Sequence, residues 1–456
     1  MVGRTPERRR EKLTGESRQT RRDFLKSTAA ATAGVSLAAA SYARILGAND
    51  RINLAFAGVR SRGMVLLESA VATAGDTIAV RTLCDVDANV LDAQATAAGM
   101  VSGTSPARVK DFRRVLDDST IDAVIIATPD HTHAPFSIYA AESGKHVYVE
   151  KPCSYDPHEG ELLIRASQRY GRIIQMGNQQ RSAPTSIEAI QDIRDGLIGR
   201  PYMGKAWYAN TRGSIGKGTQ VPPPDWLDWD LWQGPAPRRA YRDNIVHYNW
   251  HWFRHWGTGE INNNGLHEID VCRWALDVDY PERVTSAGGR FHFDDDWEFY
   301  DTQVASFDFP GGRNITWEGR SCNGHPYFDR GRGATIHGTE GTVLLDRNGY
   351  LLYDNAGNLV KQVNERASSV TIDTAGGGAL DLYHLANFFS AILDGAKQNS
   401  PIEEGHKSTL MCHLGNIAQF TGRTLNIDTD NGHITNDPEA MELWRRTYEP
   451  GWEPEV

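Results

Sequence analysis

Three groups of residues have the types and spacing for chemistry on a nucleotide and a hydroxyl-bearing ligand. The first is Gly58-Val59-Arg60-Ser61-Arg62-Gly63, which follows the apolar run Ile52 to Ala57 directly. It opens a segment with Met64, Leu66, Leu67 and Val71 on recurring faces, a helical pattern. Strand, glycine turn and helix in that order make a phosphate cradle. Gly58 takes the tight turn, Gly63 lets helix and strand approach, and the helix N-terminus faces the pyrophosphate. The usual second glycine of G-x-G-x-x-G is Arg60 here, so Arg60 or Arg62, on either side of Ser61, is expected to pair with phosphate oxygens. The second group is Asp85, which ends the next strand pattern, Thr77 to Leu83. A carboxylate there accepts from ribose hydroxyls and repels a 2′-phosphate, which favours NAD over NADP. The competing role of capping the next helix suits Asp87 better. The third group lies at two further strand ends, Thr128-Pro129-Asp130-His131-Thr132-His133 and Glu150-Lys151-Pro152. Open α/β sheets bind ligands at the carboxyl ends of their strands. Thr128, Pro129, His133, Glu150 and Lys151 are therefore expected at the cofactor.

The elements that must position these groups read as a Rossmann unit over residues 51–175. Ala123 to Ala127 is a fully buried parallel strand, a helix follows from Pro135 to Ser143, and Val147 to Val149 is the next strand. Beyond residue 175 the punctuation changes. Asn178, Gln179 and Arg181 offer amides and a guanidinium suited to hydroxyls or a carboxylate, and are candidate substrate contacts. Trp226, Trp229, Trp232, Trp250, Trp252 and Trp256 crowd a proline-rich stretch and its sequel. Their faces suit either the C–H faces of a sugar, with Trp252 the candidate, or each other in a self-packed loop. Strand signals then dominate: Thr302 to Phe309, Asn314 to Trp317, Ala334 to His337 and Val343 to Leu345, with a hairpin at Asn348-Gly349. Two late helices are expected, Asp381 to Ala396 and His406 to Gly422. The fold class is an α/β Rossmann domain followed by an α+β domain, residues 176–456, with an open, mainly antiparallel sheet.

The chain has 456 residues with a formal charge of -10, which opposes nucleic acid or an anionic membrane surface as the main partner. Five scattered cysteines show no metal-type spacing and read as small buried hydrophobes. No metal site is expected. Thr20-Arg21-Arg22-Asp23-Phe24-Leu25-Lys26 matches the twin-arginine export pattern, followed by a mild apolar stretch from Ser27 to Ala40 and a small-x-small cleavage site at Ser41-Tyr42-Ala43. Residues 1–43 thus read as a signal peptide addressed to the twin-arginine machinery. The expected location is the periplasm or another exported compartment, with no stable membrane insertion after cleavage.

With these motifs assembled, the chain resembles the Gfo/Idh/MocA family of glucose–fructose oxidoreductases and inositol dehydrogenases. The glycine turn, Asp85, the Thr128–His133 segment, Glu150-Lys151-Pro152 and the stretch from Trp256 through Asn263, His267 and Asp270 carry the resemblance. It implies Lys151 beside the nicotinamide and substrate hydroxyl, His267 as general acid/base, and a homo-oligomer paired through the sheet. Many relatives carry Asp where this chain has Asn263, so an altered proton relay is expected, with Asn263 orienting a hydroxyl. The leading expectation is NAD-dependent oxidation or reduction of a sugar, polyol or glycoside hydroxyl, with the cofactor tightly bound and recycled in place. The alternatives are a redox-neutral NAD-dependent glycosidase, lyase or epimerase, and a non-catalytic NAD-fold binding protein.

Overall fold

The computed structural model describes residues 51–365 and 378–456. The twin-arginine segment lies outside the described residues. Six short strands form a parallel sheet in the order β3-β2-β1-β4-β5-β6. They are β1 (Ile52–Ala57), β2 (Ile78–Cys84), β3 (Ala107–Val109), β4 (Ala123–Ile126), β5 (His146–Val149) and β6 (Ile174–Met176). β4, Ala-Val-Ile-Ile, is buried at every position, as a parallel strand covered on both faces must be. The strand order reverses between β1 and β4, which opens a crevice at their carboxyl ends.

The connecting helices are α1 (Ser61–Ala74), α2 (Ala88–Ser102), α3 (Arg113–Asp117), α4 (Asp130–Glu142) and α5 (Pro157–Tyr170). Asp87 caps α2 by accepting from the Val90 N–H, and Asp156 caps α5 by accepting from the Glu159 N–H. α1 has no side-chain cap, so its first N–H groups stay available to a ligand. α4 begins at Asp130, five residues before the expected start, so Asp130 to His133 form its first turn rather than a loop. Pro135 is the sixth residue of that helix, and the His131 carbonyl that its missing N–H leaves without a helical partner accepts from Arg446 Nη2 at 2.7 Å.

The second sheet has ten strands in the order β14-β13-β12-β11-β7-β10-β9-β8-β15-β16. They are β7 (Pro201–Ala209), β8 (Arg283–Gly289), β9 (Thr302–Phe309), β10 (Arg313–Arg320), β11 (Arg332–Gly338), β12 (Thr342–Asp346), β13 (Gly349–Tyr353), β14 (Leu359–Asn364), β15 (Leu425–Ile427) and β16 (Ile434–Thr435). Its pairings are antiparallel except β7 with β10, which run parallel. Period-two burial gives one apolar face: Ala305, Phe307 and Phe309 of β9 and Ile315 and Trp317 of β10 point inward. α6 (Pro184–Arg194), α7 (Trp229–Gln233), α8 (Leu266–Leu276), α9 (Gly378–Asp394) and α10 (Ile402–Thr421) complete the chain's main helices. α8 crosses β7, β10 and β11, and α10 packs on α5 and β8. α9, expected with the second sheet, returns to the first and packs Leu385, Phe388 and Phe389 against Leu66 and Leu67 of α1. Val149 and Met176 share one core with Ile269, Phe307 and Trp317, so the two sheets are joined by a common interior. The five cysteines are unpaired; four are buried and Cys322 is half-buried.

Candidate active site

One cavity of about 570 Å³ runs along the carboxyl ends of β1, β2, β4 and β5. At one end lie Gly58, Arg60, Asp85 and Asp111, and at the other Lys151, Asn263 and His267. The glycine turn is sterically enforced. Gly58 has φ +76°, and a Cβ there would sit 2.6 Å from the Ala127 carbonyl oxygen. A Cβ on Gly63 would sit 1.9 Å from the Gly58 carbonyl oxygen. Asp85 braces the turn: Oδ2 accepts from the Val59 N–H at 2.9 Å, and Oδ1 from the Asp87 N–H at 3.0 Å. Each oxygen keeps a further lone pair toward the cavity. Burial pushes the Asp85 carboxyl upward, partly offset by those two N–H donors.

The two arginines of the turn part company. Arg60 is exposed at the cavity rim. Arg62 is held by Asp381 through two hydrogen bonds of 2.8 and 2.7 Å and by Glu150 at 2.9 Å, so its guanidinium ties α1 to α9 and β5 rather than reaching for phosphate. Thr128, Pro129 and Ser61 line the cavity. His133 lines it too, and its ring nitrogens face the carbonyl oxygens of Pro152 and Thr128, both at 2.7 Å, bridging the two strand-end segments. An uncapped helix start, a glycine turn and a carboxylate at the second strand end fit a dinucleotide.

At the far end the Lys151 ammonium donates to the Asn263 carbonyl oxygen at 2.6 Å and to Asn263 Oδ1 at 3.2 Å. The amide's Nδ2 faces the Glu260 carboxylate at 3.4 Å. An acceptor-only group on one side and a donor-only group on the other fix the amide's orientation. Asn263 therefore positions Lys151. Burial lowers the lysine's proton affinity, while Glu150 and Asp130 raise it. His267 stands in the first turn of α8, 8% exposed, with no protein hydrogen bond to its ring among the described residues. Burial pushes its pKa well below the usual 6.5, and the nearby Arg347, Lys151 and Arg332 charges push the same way. The result is a neutral imidazole open to the cavity.

Of the expected substrate contacts, only Gln179 lines the cavity, donating to Tyr148 Oη and Glu150 Oε1, both at 3.1 Å. Arg181 is 5% exposed and spent on Asp270 and Glu404, which locks α8 to α10. Asn178 is buried beside it. Trp252 is 1% exposed and stacked on Trp297 with centroids 3.8 Å apart, so it cannot receive a sugar. Its neighbours Trp250 and His251 line the cavity instead. The tryptophan-rich stretch is mostly self-packed: Trp229 stacks on Trp232 at 4.8 Å, and Trp256 meets both edge-on.

This stretch is also stitched over the Asp85 end of the cavity. The Ala88 N–H donates to the Trp226 carbonyl at 2.8 Å, the Asp228 N–H to Val86 at 3.0 Å, and His247 Nε2 lies 2.8 Å from Asp87 Oδ2. Sequence reasoning missed Arg212, Arg332 and Arg347, which also line the cavity. They carry no local motif and arrive from three separate stretches of chain.

Residues 52–178 match an oxidoreductase family with an NAD-binding Rossmann fold, and residues 187–344 match the GFO/IDH/MocA C-terminal domain. Residues 19–38 match the twin-arginine translocation signal, which indicates export by that route. The chain is 28% identical over 210 residues to a "Glycosyl hydrolase family 109 protein" of Shewanella baltica (strain OS185), covering 41% of this chain and 45% of that protein. It is 39% identical over 98 residues to the scyllo-inositol 2-dehydrogenase (NAD(+)) of Bacillus subtilis (strain 168), covering 22% of this chain and 29% of that protein. The chain thus spans less than half the length of either relative. The solved structure of a levoglucosan dehydrogenase in complex with NADH and levoglucosan shares the fold, with TM-score 0.64 and 18% identity over 82% of this chain and 99% of that one.

Proposed function

The chain belongs to the Gfo/Idh/MocA oxidoreductase family, and on that premise we propose that it oxidises or reduces a sugar, polyol or glycoside hydroxyl with NAD. The supporting observation is the single cavity that joins the glycine turn and Asp85 to Lys151, Asn263 and His267. NAD, when bound along the turn, supplies the acceptor or donor of the hydride. In the oxidative direction the neutral His267 imidazole takes the hydroxyl proton. The Lys151 ammonium, held by Asn263, stabilises the alkoxide that develops. Gln179 and Arg62 hold the Glu150 carboxylate beside that lysine.

The cofactor stays bound and is recycled in place. Two observations support this part of the reading: the export signal, which takes the protein away from the cytoplasmic nucleotide pool, and the tryptophan-rich roof over the Asp85 end. Dialysed exported protein, once denatured, should release NAD or NADH measurable by absorbance, and the native protein should turn over repeatedly with no cofactor added. Protein that leaves the column empty and works only with about millimolar added NAD, far above ordinary retention, overturns it.

The similarity to a family 109 glycosyl hydrolase favours a second reading, a redox-neutral cycle in which the hydride returns to the same substrate. Release of a leaving group with no lasting change in nucleotide absorbance distinguishes it. A homo-oligomer paired through the ten-stranded sheet belongs to the same proposal, since Val304 of β9 and Leu359 and Val360 of β14 are exposed. Light scattering that returns only the monomer mass removes it.

A further inference from the structure

The acids that face the cavity come from one half of the chain, whereas its cations, Arg60, Arg62, Lys110 and Lys151 among them, come from both. Among the described residues, its lining carboxylates are Asp85, Asp111, Asp130 and Glu150, all from the first-sheet half of the chain. The second half contributes Arg212, Arg332 and Arg347 to the lining and no acid. Acids accompany Arg212 and Arg332, but from behind. Arg212 Nε and Nη2 bind Glu260 at 2.6 and 3.2 Å, and Arg332 Nε and Nη2 bind Glu268 at 2.7 and 3.0 Å. Glu260 and Glu268 are 4% and 3% exposed and do not reach the cavity.

Each guanidinium is therefore gripped along its Nε/Nη2 edge, while Nη1 makes only a neutral hydrogen bond that uses one of its two N–H groups. Arg212 Nη1 donates to Tyr248 Oη at 2.9 Å, and Arg332 Nη1 to Asn264 Oδ1 at 3.2 Å. Aromatic faces hold the planes: both lie over the Tyr208 ring, at 5.8 and 5.3 Å, and Arg212 also lies 4.9 Å from the Trp252 centroid. Two buried ion pairs cost desolvation that packing alone would not require. A neutral hydroxyl would be served as well by an amide or a tyrosine. Planar N–H edges held rigid beside the Lys151 ammonium fit a planar anion.

We propose that the substrate carries a carboxylate near its reacting hydroxyl, a sugar acid or polyol acid, and that Arg212 and Arg332 bind that carboxylate through the second N–H of each Nη1. The inference rests on the reading of this cavity as an NAD-dependent hydroxyl site and names its substrate class. The carboxylate takes no part in the redox step: one C–H and one O–H bond break, a C=O bond forms, two electrons leave as hydride to NAD, and the proton goes to His267. The substrate's negative charge also opposes the cationic surroundings that depress the basicity of His267, so binding strengthens the base that acts on it.

The test uses the full exported protein with its bound nucleotide. Matched pairs are offered (glucose with glucuronate, galactose with galacturonate, glucitol with gluconate), together with glucose 6-phosphate. Binding is read by calorimetry and turnover by absorbance of the bound nucleotide. The acid of at least one pair should exceed its neutral partner by about 30-fold or more in kcat/KM, the scale of one buried charge contact. The double variant Arg332→Gln/Glu268→Gln replaces the ion pair without leaving an orphan carboxylate. It should raise KM for the acid by a similar factor, with a smaller fall in kcat and retained nucleotide as proof of folding.

Preference for the neutral sugars, preference for the phosphate ester, or an undiminished acid preference in the double variant overturns the inference. So does the failure of every acid to bind. Oxidation of neutral sugars alone sinks this inference and leaves the parent reading intact, whereas protein that takes up no NAD at all sinks the parent reading.

Discussion

The two ends of the cavity are built by different means. The nucleotide end is local and backbone-made. Asp85 reaches Val59 across 26 residues, the turn is enforced by two glycines, and the strands beneath it pair with sequence neighbours except where β1 meets β4. The reaction end is assembled from afar by charged side chains: Lys151 meets Asn263 across 112 residues, Arg332 meets Glu268 across 64, and Arg212 meets Glu260 across 48. Binding a common cofactor needs a shape that short segments can fold alone. Choosing a substrate needs groups that only tertiary structure can gather. The two ends should therefore fail separately when changed.

The sharpest break is Lys151→Met. Turnover should fall about 100-fold or more, the scale of one preorganised charge, while bound nucleotide stays at its unmodified level. Loss of nucleotide together with turnover would show that the two ends are not separable. His267→Ala should cost about as much in rate. In the unmodified protein the acidic limb of kcat/KM should have its midpoint well below pH 6.5. The depressed pKa keeps the imidazole in its basic form until the pH falls past it, so activity is lost on acidification and not on approach to neutrality. A limb centred at 6.5 or above would remove His267 as the base.

At the opposite end, Asp85→Ser should narrow the preference for NAD over NADP by about tenfold and barely touch the rate with saturating cofactor. An unmodified protein that binds NADP more tightly than NAD contradicts the assigned role. The smallest effect belongs to the roof. His247→Ala removes the contact to Asp87 and should speed loss of bound nucleotide about fivefold, the scale of a single hydrogen bond, as followed by NADH fluorescence during dilution.

The same contrast explains what the sequence disclosed. The glycine turn, Asp85 and the carboxyl ends of β4 and β5 were legible because strand, turn and helix carry their own periodicities. The helix was expected only from Pro135, because a proline usually opens a helix, yet α4 runs back to Asp130 and Arg446 serves the His131 carbonyl that the proline cannot. Arg181 offered a guanidinium of the right type in a segment next to the site, but only the packed structure shows Asp270 and Glu404 claiming it. Trp252 and Trp250 are two positions apart in one short turn, and the side of that turn facing the cavity was not encoded in their identity. Asn263 was recognised as a departure, whereas its partner proved to be Lys151.

The parallel pairing of β7 with β10 has a consequence for how such a protein can change. Parallel neighbours cannot be joined by a hairpin, so the chain leaving β7 must travel back to the opposite end of the sheet before β10 begins. That journey carries the tryptophan roof, Asn263, His267 and the strands β8 and β9. It departs beside the end of β10, not its start, with the Asn210 N–H bonded to the Arg320 carbonyl at 2.9 Å and the Arg212 N–H to Ser321 at 2.8 Å. The stretch between Arg212 and the helical turn at Ile261 is thus anchored at its root and free of strand register. It can lengthen, shorten or be exchanged, revising the roof and what the cavity admits, while the sheet keeps its pairing and the glycine turn and Asp85 keep theirs.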